Sequence, residues 1–288
     1  GCTGKNEFIK ECFSSILRAK QVLTSYGVHN DETENFFKKN CIFKYVFLQH
    51  GVVFFKDIGS DYYDPKVFSH VVTTNSLEEN FFTQRGWKKE QIIRTGLPRW
   101  DLLKKEDNKQ KQIFVMFTFR RSLVKSLKQA NSKKNKLPMY CSIKFQNSYY
   151  GRRMLAFLNN ERLNNVLEKN NVKLVVALHH SLYNNKLSLD IKEKNIEFVP
   201  CEKTSQYIKT SDMLVTDFSS VAFDFMYLNK PVIFYKFDFD VKDEQYLEDE
   251  SINYAMTKDE YVYNCTYDLD KTTDKIEYYI KNNFILED

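Results

Sequence analysis

The chain of 288 residues is 42% hydrophobic, 15% aromatic and 28% charged, with the charges interspersed; this excludes wholesale disorder and, at about 150 residues per domain, predicts two folded domains. A net charge of +5 at pH 7 favours anionic partners such as nucleotides, phosphopolymers or an anionic membrane surface, and with no zinc-finger, RRM or helix-turn-helix pattern, nucleic acid is not an expected partner. The cysteines Cys2, Cys12, Cys41, Cys141, Cys201 and Cys265 form no CxxC pair and have no histidine at metal spacing, so neither a zinc knuckle nor a redox pair is indicated and reduced thiols in a cytoplasmic protein are expected.

Short continuous apolar runs alternate with longer amphipathic stretches, the pattern of parallel strands buried on both faces and joined by helices, so the chain is predicted to be α/β. In chain order the expected elements are a helix over 7–25, strands over 45–48 and 70–73, a helix over 77–85, and strands over 92–94 and 113–117. A helix over 154–169 follows, then strands 174–178 and 196–199, helix 205–209, strand 213–216, helix 220–228, strand 232–235 and helix 273–283. The polar stretch "DLLKKEDNKQKQ", beginning at Asp101, reads as the linker between domains 1–106 and 107–288, and "KQANSKKNKLP" as a surface loop. No run approaches the roughly 18 apolar residues of a membrane span, and no secretory signal pattern is present. The start at Gly1 rather than methionine leads to the expectation of a segment upstream.

In open parallel sheets ligands bind beyond the carboxyl ends of the strands, so the residues that follow each run carry the functional expectations. They are "QHG" at Gln49 to Gly51, "TGLPRWD" at Thr95 to Asp101, "TFRR" at Thr118 to Arg121, His179 with His180, and "TDFSS" at Thr216 to Ser220. His50 is either a catalyst displayed at a strand end or a polar residue in a turn. "SDMLVTDFSSVAFDFMYLNKPVIFY" reads as one βαβ unit in which Ser219 and Ser220 open the helix. Unpaired backbone N–H groups and two hydroxyls there suit a phosphate, and the plainer alternative is a serine N-cap. Asp224, one turn on, either orients a ligand hydroxyl or solvates the turn. Thr118 with Arg120 and Arg121 offers a hydroxyl and two guanidiniums to a diphosphate, the alternative being a solvated arginine pair. Of His179 and His180 one is expected to contact ligand and the other to pack. "FDFD" at Phe237 to Asp240 imitates an Asp-x-Asp metal motif, but it lies past the βαβ unit with no His or Glu cluster beside it, so no metal site is assigned.

Taken together, "LQHG" with Lys56, "TGLPRWD", "FTFR", "LHH" and "SDMLVTDFSSVAFDF" followed by "LNKPVIFY" resemble the CDP-glycerol glycerophosphotransferases that build teichoic acids and related capsule polymers, over residues 13 to 285. Where that family usually shows "WHGTPLK" and a His-Pro pair, this chain has "LQHGVVFFK" and His179-His180, which leaves the acceptor class open. The resemblance implies a GT-B fold: two Rossmann-like domains with parallel sheets facing across a cleft, the donor nucleotide on the C-terminal one and the acceptor approaching from the N-terminal one. It implies that His50 activates the acceptor hydroxyl and that His179 is a second essential histidine near the donor phosphates. Thr118, Arg120, Thr216, Asp217, Ser219, Ser220 and Asp224 form the implied donor set. Gly51, Lys56, Gly96, Arg99 and Asp101 match acceptor-side or motif positions without individual roles. For a complete Rossmann half the N-terminal domain looks short, and one strand and one helix are expected to be missing from its front.

The implied reaction transfers a polyol phosphate, glycerol phosphate first, from a CDP-linked donor to a hydroxyl of a lipid-linked or polymeric acceptor, releasing CMP. No cofactor and no metal are expected, the CDP-polyol being a substrate. Peripheral association with the anionic inner face of the cell membrane is expected from the basic charge and a membrane-linked acceptor. Three rivals share parts of this pattern: a ribitol-phosphate transferase using CDP-ribitol, a GT-B glycosyltransferase using a sugar nucleotide, and a nucleotide- or polymer-binding protein without activity.

Overall fold

A computed structural model of the chain describes residues 21–24, 44–49, 51–53, 63–118, 120, 145–183, 189, 191, 194–237 and 263–286. The chain divides into two units, Gly1–Leu102 and Leu103–Asp288. Glu106 belongs with the second by its bonds: its N–H donates to the Lys209 carbonyl at 3.1 Å and its carboxylate meets the Lys209 ammonium at 3.3 Å.

In the first unit, strands β1 (Gln21–Thr24), β2 (Lys44–Phe47), β3 (His70–Thr73) and β4 (Ile92–Arg94) form a wholly parallel sheet in the order β1-β2-β3-β4. Helix α1 (Ser76–Gln84) connects β3 to β4 and is started by Asn75, whose side chain accepts from the N–H groups of Leu77 and Glu78. The core gathers Phe47, Tyr63, Phe68, Val71, Phe81, Phe82 and Trp87. Tyr63 and Phe82 meet edge to face at 5.5 Å, and Trp87 Nε1 donates to the Tyr63 carbonyl at 3.0 Å, so the one polar atom of the indole is satisfied inside.

β1 corrects one expectation. Gln21 to Thr24, read as the end of a helix over 7–25, pairs in parallel register with Lys44 to Phe47. The rest of the predicted helix lies outside the described residues.

The second unit holds β5 (Gln112–Met116), β6 (Lys173–Leu178), β7 (Ile196–Pro200), β8 (Met213–Thr216), β9 (Val232–Tyr235) and β10 (Cys265–Thr266) in one parallel sheet ordered β10-β9-β8-β5-β6-β7. Counted within the unit, that is sixth-fifth-fourth-first-second-third, the doubly wound order, and the direction of winding reverses between β5 and β8. Both faces are covered, which is why these strands read as unbroken apolar runs. Ile113, Val115, Leu174, Val176, Met213 and Val215 pack with Phe157, Leu163, Leu167 and Ile276 on one side. On the other, Phe114 stacks on Tyr207 at 5.6 Å and on Phe225 at 6.3 Å.

The helices are α2 (Tyr149–Leu158), α3 (Glu161–Lys169), α4 (His180–Tyr183), α5 (Thr204–Thr210), α6 (Val221–Tyr227) and α7 (Leu269–Lys281). The single helix expected over 154–169 is two, because Asn160 turns out of the helix and caps α3, accepting from the Leu163 N–H at 2.7 Å. Two successive Rossmann-like units with parallel sheets are an α/β fold of the GT-B type.

Candidate functional site

The winding reversal between β5 and β8 is where an open α/β sheet leaves a crevice at its carboxyl edge, and the chain spends buried charge to shape it. Met116 and Thr216 are register partners at the ends of these strands, and the Thr216 hydroxyl donates to the Met116 carbonyl at 2.5 Å. One residue on, Asp217 Oδ1 accepts from the N–H groups of Thr118 at 2.7 Å and Phe218 at 2.6 Å. Its Oδ2 lies 2.9 Å from an Arg120 guanidinium nitrogen, in an ion pair whose side chains are 4% and 0% exposed. The guanidinium also donates to the Thr118 carbonyl and sits 5.3 Å from the ring centres of Tyr150 and Phe218 and 5.9 Å from that of Phe237. Asp217 thus ties together the two turns that flank the crevice.

The implied donor set separates into a buried framework and a rim. Arg120, Thr216, Asp217 and Asp224 are between 0% and 3% exposed. Arg120, expected to grip a diphosphate, is buried against Asp217 at the turn that follows β5. Thr118, His179, Ser219 and Ser220 are half-buried at the carboxyl edge of the adjacent strands β5, β6 and β8. The Thr118 hydroxyl oxygen is itself buried and has no hydrogen-bond partner among the described residues. Ser220 stands at the cap position of α6 without capping it through its side chain, and Ser219 Oγ receives only a long contact from the Val221 N–H at 3.4 Å. The serine hydroxyls are therefore not absorbed by strong capping, the plainer alternative weighed from the sequence. His179 precedes α4, its carbonyl accepting from the Leu182 and Tyr183 N–H groups at 2.7 and 2.9 Å, and His180 opens that helix. Hydroxyls, a histidine and backbone N–H groups at one rim suit an oxyanion-rich ligand.

On the first unit, His50 and Lys56 lie outside the described residues. Gln49 and Gly51, which flank His50, are buried where β2 ends, and Gln49 holds a φ of 63°. Gly96 has a φ of 82°, and a Cβ there would come 3.3 Å from the Trp100 ring, so the "TGLPRWD" turn requires glycine at that point. Its N–H and that of Thr95 donate to the Thr73 carbonyl at 3.0 and 3.2 Å, which brings the turn to the same sheet edge as the residues flanking His50. Arg99 and Asp101 are exposed on the short 3₁₀ turn Pro98–Leu102.

Among the described residues three buried charged groups were missed in the sequence, Glu78, Lys230 and Lys236. Glu78 is 0% exposed at the start of α1, and burial pushes its carboxyl above the usual carboxylate range. Its signal was "NSLE", an Asn followed three residues later by Glu, the pattern of a capped helix start. Lys230 is 2% exposed, its ammonium donates to the carbonyls of Ile208 and Lys209 at 2.7 Å each, and burial pushes its pKa down to about 8. Its only signal was a lysine directly before the Pro231 that introduces a buried strand. Among the described residues no group of three or more His, Cys, Asp or Glu is placed to hold a metal ion, and no helix is long and apolar enough to cross a membrane. Asp238 and Asp240 of "FDFD" lie outside the described residues.

Comparison with known proteins bears on what this rim binds. Residues 6–282 match the family described as CDP-Glycerol:Poly(glycerophosphate) glycerophosphotransferase. The chain is 30% identical over 261 residues to the minor teichoic acid biosynthesis protein GgaB of Bacillus subtilis (strain 168), covering 88% of this chain and 27% of that protein. It is 26% identical over 171 residues to a teichoic acid poly(glycerol phosphate) polymerase of Bacillus spizizenii, covering 58% of this chain and 41% of the relative. The chain thus spans well under half the length of these relatives. A solved structure of the wall teichoic acid polymerase TagF superposes with a TM-score of 0.51 at 16% identity, covering 95% of this chain and 75% of that one, a likeness of fold.

Proposed function

We propose, because the chain belongs to the CDP-glycerol:poly(glycerophosphate) glycerophosphotransferase family, that it transfers a polyol phosphate from a CDP-linked donor to an acceptor hydroxyl in teichoic acid synthesis. The observation that carries this reading is the family match over nearly the whole chain, and the rim at the β5/β8 crevice supports it. In this reading the donor diphosphate meets the hydroxyls of Thr118, Ser219 and Ser220 and the His179 side chain, above a floor held rigid by Asp217 and Arg120. The acceptor oxygen attacks the β-phosphorus, the bond from that phosphorus to the oxygen of CMP breaks, and the acceptor proton passes to His50. A neutral imidazole is suited to that role near pH 7, and fixed donors offset the charge that grows on departing CMP. The polyol is glycerol and the acceptor a lipid-linked or polymeric hydroxyl, reached at the inner face of the cell membrane. Neither metal nor nucleic acid takes part.

The test incubates the protein with CDP-glycerol, CDP-ribitol or UDP-sugars and a membrane extract as acceptor, with and without EDTA. CMP release from CDP-glycerol that survives EDTA is expected. Release of UDP instead would favour the glycosyltransferase rival, and loss of turnover restored by magnesium or manganese would overturn the metal-free reading. Variants then separate the two halves of the site. Ser219→Ala with Ser220→Ala should weaken CDP-glycerol binding by about 1–3 kcal/mol, the range for hydrogen bonds to a charged group, yet leave turnover at high donor concentration. His50→Ala should leave donor binding near wild type while turnover falls by about two to four orders of magnitude. If His50→Ala turns over normally, or loses donor binding while folded, His50 is not the base.

A further inference from the structure

Glu78 is a carboxylate with no exposure at all, in the first turn of α1, and the mechanism above leaves it without a task. A glutamate in this position ordinarily reaches back over its own helix start and remains in water. One half of Glu78 behaves so: Oε2 accepts from the Thr74 N–H at 2.7 Å and from the Thr74 hydroxyl at 2.6 Å. The other half does something a cap does not require. Oε1 accepts from the N–H of Val53, 3.1 Å away and 25 residues earlier, in the turn that leaves β2. Gln49 and Val53 lie on either side of His50 in the sequence.

Gln49 also carries the mark of a backbone held against its preference. Its φ of 63° is costly for a residue with a side chain and persists only where the surroundings over-determine it. The surroundings here are explicit: Gln49 is 3% exposed, its amide donates to the Val72 carbonyl at 2.5 Å, and Glu78 holds Val53 four residues on. Burial of a carboxylate, a left-handed non-glycine and hydrogen bonds that run from α1 to β3 to the turn after β2 converge on one short stretch of chain. A helix start alone could be capped by Asn75, which already accepts from Leu77 and Glu78.

The geometry points to Glu78 as a positioning residue for the acceptor-activating histidine, its buried carboxylate anchoring the backbone at Val53, three residues beyond His50. This rests on the reading of His50 as the base. Glu78→Gln is the sharpest variant, since it keeps size and shape but leaves one accepting oxygen where two were used and sets an NH₂ group against a backbone N–H. With CMP release for turnover, calorimetry with CDP-glycerol for donor binding and thermal melting for folding, the folded variant should bind donor within about twofold of wild type, because the donor rim belongs to the other unit, while kcat falls about 10- to 100-fold. The double variant Glu78→Gln/His50→Ala should be no slower than His50→Ala alone, since residues acting as one unit are not additive. Thr74→Val, which removes one donor to the same carboxylate, should lower kcat about 3- to 10-fold at unchanged donor KM and serves if Glu78→Gln fails to fold. A folded Glu78→Gln with wild-type kcat, or losses that multiply in the double variant, would overturn the inference while His50 stands. Normal turnover in His50→Ala would instead remove the reading on which it rests.

Discussion

Asp217 and Arg120 show how a single buried pair can set the form of two turns. Two full charges at 4% and 0% exposure face a large desolvation cost, offset by their mutual attraction, the two N–H groups that Asp217 Oδ1 accepts and the three aromatic faces around the guanidinium. Removing one partner strands the other, so Asp217→Asn should destabilise the fold by about 3–5 kcal/mol although the shape is nearly unchanged. Adding Arg120→Met should recover most of that loss, because the amide oxygen that Asp217→Asn introduces can still accept the Thr118 and Phe218 N–H groups and no unpaired charge remains. Urea unfolding of wild type, single and double variant reads this directly, and a double variant as unstable as the single one would show that the cost lies in the hydrogen bonds and not in the stranded guanidinium. "TFRR" and "TDFSS" were legible in the sequence as clusters at strand ends. That Asp217 and Arg120 choose each other was not, because a charged residue after a strand looks the same whether it faces ligand or a distant partner.

At the scale of elements, the second sheet was readable because strands covered on both faces must be apolar throughout: Met213–Thr216 and Val232–Tyr235 stand where the runs predicted them. β1 was hidden because "QVLT" ends a stretch whose spacing also fits a helix, and four residues cannot outweigh a longer periodic window. β10, with two residues, is too short to carry any period. The βαβ unit around α6 is joined to α5 by a feature no periodicity reports, the Lys230 ammonium on the last carbonyls of that helix. A lysine pushed from 10.5 to about 8 binds fewer protons folded than unfolded between those values, so its contribution to stability rises with pH across that window. Lys230→Met removes the titration. Measured by urea denaturation at about pH 7.5 and about pH 9.5, the wild type should gain stability relative to Lys230→Met over the interval, and parallel behaviour would show that the carbonyls keep the ammonium charged throughout.

For the whole molecule, charge and the nature of the acceptor pose one problem. A lipid-linked acceptor stays at a bilayer, so in the proposed reading a force that acts at the surface draws the protein there; among the described residues no helix is long and apolar enough to cross a membrane. A net charge of +5 supplies such a force against an anionic leaflet, where each basic residue near the surface is worth about 1 kcal/mol. The two kinds of surface attachment differ in their response to salt. Electrostatic attachment decays as the screening length shrinks from roughly 10 Å at 0.1 M to roughly 3 Å at 1 M, whereas insertion of an apolar face does not weaken on that account. Vesicles containing an anionic lipid should therefore sediment the protein at about 0.05 M salt and release it by about 0.5–1 M, while neutral vesicles should retain little at either. Binding that is equal for neutral and anionic vesicles, or that survives high salt, would mean that charge is not what holds the protein at its acceptor.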